Sequence, residues 1–239
     1  MHAVLIAGTG SDDDYLRRSF GPGLGEAGWT LTALSPAAEL LAHYHRALDA
    51  AADRHGRIVV GGVSIGAVIG LDWALRQHGT GRCAGVLAAL PPWTGEPGDS
   101  LAALSAQLTA DGIDRDGLAA TITTMAASSP DWLAAELSRS WRGLADRDLP
   151  GQLRAAAALL APTAGEISAL DVPLAVAACP DDPLHPRAVA REWAAAAPRA
   201  AVTEVPLAVW GPRPRALGDA ALTSWRRLIA AGPALEDAD

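Results

Sequence analysis

Short apolar runs closed by glycine or proline alternate along this chain with longer stretches whose apolar positions recur every three or four residues. The first run, residues 2–7 (HAVLIA), stops at Gly8-Thr9-Gly10 and predicts a buried parallel strand. Ser11, Asp12, Asp13 and Asp14 then offer an N-cap and first-turn acids for a helix ending near residues 25–28. Further strands are predicted at 30–34, 57–60, 83–90, 173–178 and 202–209, and helices at 37–54, 67–77, 186–197 and 217–231. Between the fourth and fifth strands, residues 93–170 carry helical patches at 101–108, 118–127, 132–144 and 153–160 and no strand pattern. The acidic tail from Gly232 onward is expected to fray. Alternation of this kind predicts the α/β class, with a doubly wound, mostly parallel sheet of about six strands. The chain reads as one domain, 1–239, with residues 93–170 inserted as a helical lid.

Composition narrows the chemistry more than the fold. Net charge is −8 and hydrophobic residues make up 50% of the chain. An acidic balance argues against duplex nucleic acid or an anionic membrane as partner, and no apolar stretch reaches the length of a membrane span. No charged segment precedes an apolar run at the N-terminus, so a cytoplasmic protein is expected. All 19 basic residues are arginine. Without lysine there is no Schiff-base lysine, no Ser–Lys dyad and no P-loop lysine. Cys83 and Cys179 form neither a CxxC pair nor a disulfide framework. No His, Asp or Glu cluster has ligand spacing, so no metal or other cofactor is expected. The expected partners are a small-molecule substrate and, at most, a second copy of the chain.

Gly62-Val63-Ser64-Ile65-Gly66 stands between the third strand and its helix. In that context a serine sits on a sharp, strained bend, and the flanking glycines avoid collision of a Cβ with the crossing elements. The bend lifts the Ser64 hydroxyl over the carboxyl edge of the sheet and aims the Ile65 N–H at a developing oxyanion. On this motif and its setting, nearly the whole chain resembles the α/β-hydrolase fold superfamily, with that family's usual first two strands missing. The resemblance implies a second oxyanion donor after the first strand. Ala7-Gly8-Thr9 occupies the place of a His-Gly-x motif there, which assigns the Thr9 N–H with Gly10 as its neighbour. It also implies an acid in the loop Cys179-Pro180-Asp181-Asp182-Pro183-Leu184-His185-Pro186, where the family reads G-x-x-D-x-x-V-P. Alignment on the final proline places Asp182 at the acid and Cys179 at the usual glycine, with Asp181 as the competing assignment.

The family pattern then breaks. A histidine belongs after the last strand, but residues 205–213 (VPLAVWGPR) hold none, and Trp210 or Gly211 stands in its place. A serine hydroxyl without a base is a poor nucleophile at neutral pH. Of the six histidines, His2, His43, His45, His55 and His78 fall on helices or at the far edge of the predicted sheet. His185 alone lies in a carboxyl-edge loop, three residues after Asp182. It is either a relocated base for Ser64 or a loop residue beside a proline. Trp93, Trp132 and Trp141, in or beside the insertion, and Trp210 are candidates for the wall of an apolar pocket, or for packing of lid on body.

Three functions stay open. One is an esterase- or thioesterase-like hydrolase that uses Ser64, Asp182 and His185. Another is a non-hydrolytic catalyst on the same fold, such as a cyclase or lyase. The last is a catalytically inactive binding protein. They part on one distance. A separation of about 3 Å between Ser64 Oγ and a His185 ring nitrogen supports the first, and a gap beyond roughly 6 Å the others.

Overall fold

The computed structural model describes residues 1–232, so the acidic tail expected beyond Gly232 lies outside the described residues. The strands are β1 (His2–Ile6), β2 (Thr30–Leu34), β3 (Ile58–Val63), β4 (Cys83–Ala89), β5 (Leu174–Ala178) and β6 (Ala200–Glu204). They form one sheet in the order β2-β1-β3-β4-β5-β6, and every neighbouring pair is parallel. In chain order the helices include α1 (Asp13–Glu26), α2 (Leu40–His55), α3 (Ile65–Arg76), α4 (Leu101–Asp116), α5 (Leu118–Ala127), α6 (Asp131–Gly143), α7 (Leu149–Ala157), α8 (Ala164–Ile167), α9 (Arg187–Ala196), α10 (Leu207–Trp210) and α11 (Arg215–Ala231). Helices α4 to α8 all fall between β4 and β5, where the sequence predicts an all-helical insertion.

Alternate residues of a strand face opposite sides of a sheet, so a strand that is apolar throughout needs cover on both. Val4, Ile6, Ile58 and Val60 pack into one layer, which α2, α3 and α9 close with Leu48, Val68, Trp73 and Trp193. Ala3, Leu5, Val59 and Val63 pack into the other, closed by Phe20 and Leu24 of α1 and Leu222 and Trp225 of α11. A third cluster, with Ala110, Ile122, Trp141, Leu149 and Leu153, holds α4 to α7 together.

Two strand ends differ by three residues or more from the pattern-based reading. β3 runs past residue 60 to Val63, because Gly61 and Gly62 continue the extended chain at φ +139° and +150°. The sixth strand stops at Glu204 instead of reaching 209. Pro206 has no N–H to give to a ladder, and it starts the short helix α10.

The strand order reverses at β1, which lies between β2 and β3. A crevice therefore opens at the carboxyl ends of β1 and β3. Both the Gly8–Gly10 turn and Ser64 follow directly from those ends. Ser64 has φ 54° and ψ −116°, a left-handed conformation that strains any residue other than glycine. Its neighbours make the bend possible: a Cβ on Gly62 or on Gly66 would run into the carbonyl oxygen of Ile6 on β1. Helix α3 therefore sits directly on the end of β1. Gly66→Ala is expected to destabilise the fold by about 1–3 kcal/mol, because the obstacle is backbone and cannot swing aside. The measurement is the shift in the urea unfolding midpoint at unchanged slope.

Candidate active site

A serine that opens a helix ordinarily turns its hydroxyl back onto the helix's free N–H groups. Ser64 does not cap α3. Its backbone N–H is held by the Ala89 carbonyl of β4 (2.8 Å), and its hydroxyl donates instead to His185 Nε2 at 3.0 Å. The opposite ring nitrogen, Nδ1, donates to Asp182 Oδ2 at 2.7 Å. Residues 64, 182 and 185 thus form one hydrogen-bonded chain, with the Asp182 and His185 side chains largely buried.

The loop that carries two of these groups is organised locally. Asp182 Oδ1 accepts the N–H of Leu184 (2.8 Å), an Asx turn that leaves Oδ2 facing the side chain three residues on. Pro183 and Pro186 limit the backbone on either side, and Pro186 opens α9. Burial pushes the Asp182 carboxyl up. The hydrogen bond and charge of His185, with the N–H groups of Leu184 and His185, outweigh that and hold the group below its ordinary value. Asp181 faces elsewhere. Its Oδ1 accepts from the Leu207 N–H (2.8 Å) and the Cys179 thiol (3.1 Å), which ties the start of α10 to the end of β5. Cys179 is buried, and that burial raises its thiol above the usual range.

The other histidines are engaged far from this point. His2 stacks on His55 at 3.8 Å between ring centroids. His43 Nε2 donates to the Ser35 carbonyl, His45 lies beside Asp72, and His78 Nδ1 donates to the Ala169 carbonyl.

Ser64 and His185 open into a cavity of about 200 Å³ between the sheet edge and the helical insertion. Its wall is mainly apolar and includes Leu90, Leu133, Leu137, Trp132, Trp141 and Trp210. The Trp132 and Trp210 rings meet edge to face at 5.4 Å. Trp210, standing where the resemblance expects a histidine, is part of this wall. Trp93 is not. It is buried in the core, and its Nε1 donates to the Leu159 carbonyl at the end of α7 (3.1 Å). Leu90, at φ 54°, faces the cavity three residues earlier. Thr9 also borders the cavity, whereas the Ile65 side chain, in the first turn of α3, is in the core. Sequence reasoning left out Tyr15, Leu90, Leu133 and Leu137 from the wall. Residues 133, 137 and 141 repeat every four positions on α6, and that spacing was their visible signal. A groove of about 610 Å³ between α3 and α8 is larger, but the Thr163 hydroxyl in its lining is engaged with Glu166 in the capping box of α8. Among the described residues no group of three His, Cys, Asp or Glu side chains is placed to hold a metal ion, and no helix is long and apolar enough to cross a membrane.

No family model matches the sequence, and no curated protein matches it. Solved structures do match its shape. A hydrolase from Oleispira antarctica superposes with a TM-score of 0.70 at 15% identity, over 97% of this chain and 92% of that one. An esterase from Thermogutta terrifontis gives 0.68 at 16% identity, over 95% and 89%. The enol-lactonase from Burkholderia xenovorans LB400 gives 0.66 at 16% identity, over 96% and 91%.

A carboxyl held below its unfolded value stabilises the fold at pH above that value and loses the contribution as pH falls through the folded one. The stability gap between wild type and Asp182→Asn is therefore expected to narrow as pH drops below about 4. Urea midpoints of the two proteins between about pH 6 and about pH 3 measure it.

Proposed function

We propose that this chain, which has the α/β-hydrolase fold, is a serine hydrolase of the esterase or thioesterase kind, acting on a small apolar acyl substrate. One observation carries the reading: the 3.0 Å contact between Ser64 Oγ and His185 Nε2, continued at 2.7 Å to Asp182. It favours a working base over a residual fold. That solved structures of similar shape include a hydrolase, an esterase and an enol-lactonase agrees with it.

The steps follow from the geometry. His185 accepts the Ser64 proton at Nε2 as Oγ attacks the acyl carbonyl. Asp182 fixes the proton on Nδ1, so Nε2 is the free acceptor, and it stabilises the imidazolium that forms. The oxyanion is received by the N–H groups of Ile65 and Thr9; neither donates to another group among the described residues. His185 then returns the proton to the leaving alkoxide or thiolate. A water, activated by the same ring, releases the acid and restores Ser64. The wall of Leu, Trp and Ala side chains receives the acyl group, and the modest volume favours short chains.

A fluorophosphonate is expected to label wild type at Ser64 and to leave Ser64→Ala unlabelled. His185→Ala should lower kcat/KM on p-nitrophenyl butyrate by about 10³-fold or more. A wild-type protein that resists the label under conditions that modify a control esterase overturns the reading.

A further inference from the structure

We infer that the helical insertion sets the strength and direction of the Thr9 oxyanion donor, with Ser140 on α6 as the positioning residue. This rests on the oxyanion reading above. It concerns a contact made by residues far from Ser64 in sequence, which the chemistry itself does not require.

Three consecutive residues of α6 grip the turn after β1. Arg139 forks onto Asp12 with N–H···O distances of 2.7 and 2.9 Å. The Ser140 hydroxyl, fully buried, donates to the Gly10 carbonyl at 2.7 Å. The Trp141 ring lies over Gly10, where an added Cβ would come within 2.7 Å of its Nε1. Within the turn, the Ser11 N–H donates to the Gly8 carbonyl at 3.0 Å.

These bonds lie in series. In a trans peptide the C=O and the following N–H point in opposite directions from one plane. The Gly10 carbonyl shares its plane with the Ser11 N–H, and the Gly8 carbonyl shares its plane with the Thr9 N–H. A hydrogen bond from Ser140 into the first plane is therefore passed through Ser11 into the second, and leaves it at Thr9. The chain fixes where the Thr9 N–H points. It also polarises that donor, since linked hydrogen bonds strengthen one another. Gly10, at φ +71°, is the residue of the turn that Ser140 and Trp141 hold. With the insertion displaced, the turn keeps its internal bond and loses its outer anchor.

The test compares Ser140→Ala with wild type on p-nitrophenyl butyrate, with butylboronic acid as tetrahedral mimic and butyrate as product. Loss of a complete oxyanion donor costs about 10²–10³ in kcat. A donor weakened and misdirected should cost about 10-fold. The expected result is a kcat lowered about 10-fold, a KM changed less than about 2-fold, boronate affinity reduced in step with kcat, and butyrate affinity unchanged. Arg139→Met, on an exposed side chain, should move kcat and boronate affinity the same way by a smaller factor, and it decides the matter if Ser140→Ala does not fold. Unchanged kcat in the folded variants overturns the inference. So does a loss shared equally by butyrate and boronate, which marks a collapsed pocket. Either result leaves the hydrolase reading standing if wild type turns over ester and is labelled at Ser64. A wild type that does neither fails at the earlier step.

Discussion

The bend between β3 and α3 depends on two missing side chains. Gly62 and Gly66 let both elements ride against the Ile6 carbonyl, and no other residue fits either place without moving backbone. That contact presses α3 onto β1 at the point where the sheet's order reverses. Ser64 is forced into a left-handed conformation, and its hydroxyl is aimed away from the helix it opens. The strain is local, of order 1–3 kcal/mol, and the surrounding parallel sheet holds it in place. Everything else at the site is arranged around this fixed point.

The imidazole beside Ser64 does not come from the segment after the last strand. The segment after β6 breaks at Pro206 and coils into α10, which delivers Trp210 to the cavity wall. The imidazole comes from the β5 loop, four residues of which carry both the ring and its carboxylate partner. Asp182 and His185 are close in sequence, so the loop orients the pair before the rest of the site is considered. Asp181 next to it serves the fold, binding the first N–H of α10. Two adjacent aspartates thus divide into a partner for the imidazole and a strut for the neighbouring segment. The division follows from which way each carboxylate faces, since the residue type is the same.

Local signals were readable in advance. Ser64 between two glycines, after an apolar strand and before a helix, was legible because a strand-to-helix bend leaves a short-range pattern. His185 stands out because it is the one imidazole in a carboxyl-edge loop, and Asp182 because the family's loop pattern, aligned on Pro186, falls on it. The tryptophans were harder. Trp93 follows two prolines beside the insertion just as a wall residue would, yet its indole N–H finds the Leu159 carbonyl and the ring goes into the core. The sixth strand ends at Glu204 although the apolar pattern runs on to 209, because Pro206 interrupts that run and opens α10. The grip of α6 on the first turn left no trace in the sequence pattern, since Ser140 and Gly10 lie 130 positions apart.

Periodicity and glycine placement were enough to specify the strand–helix alternation, the helical insertion and the strained serine, because each depends on neighbours within a few residues. The contact that makes Ser64 reactive in our reading is of another kind. Residues 64 and 185 meet only when β3 and β5 take their places on either side of β4 in one parallel sheet. A 3.0 Å hydrogen bond across 121 residues is set by the stacking of that sheet and its helices, to which the identity of either residue contributes nothing by itself.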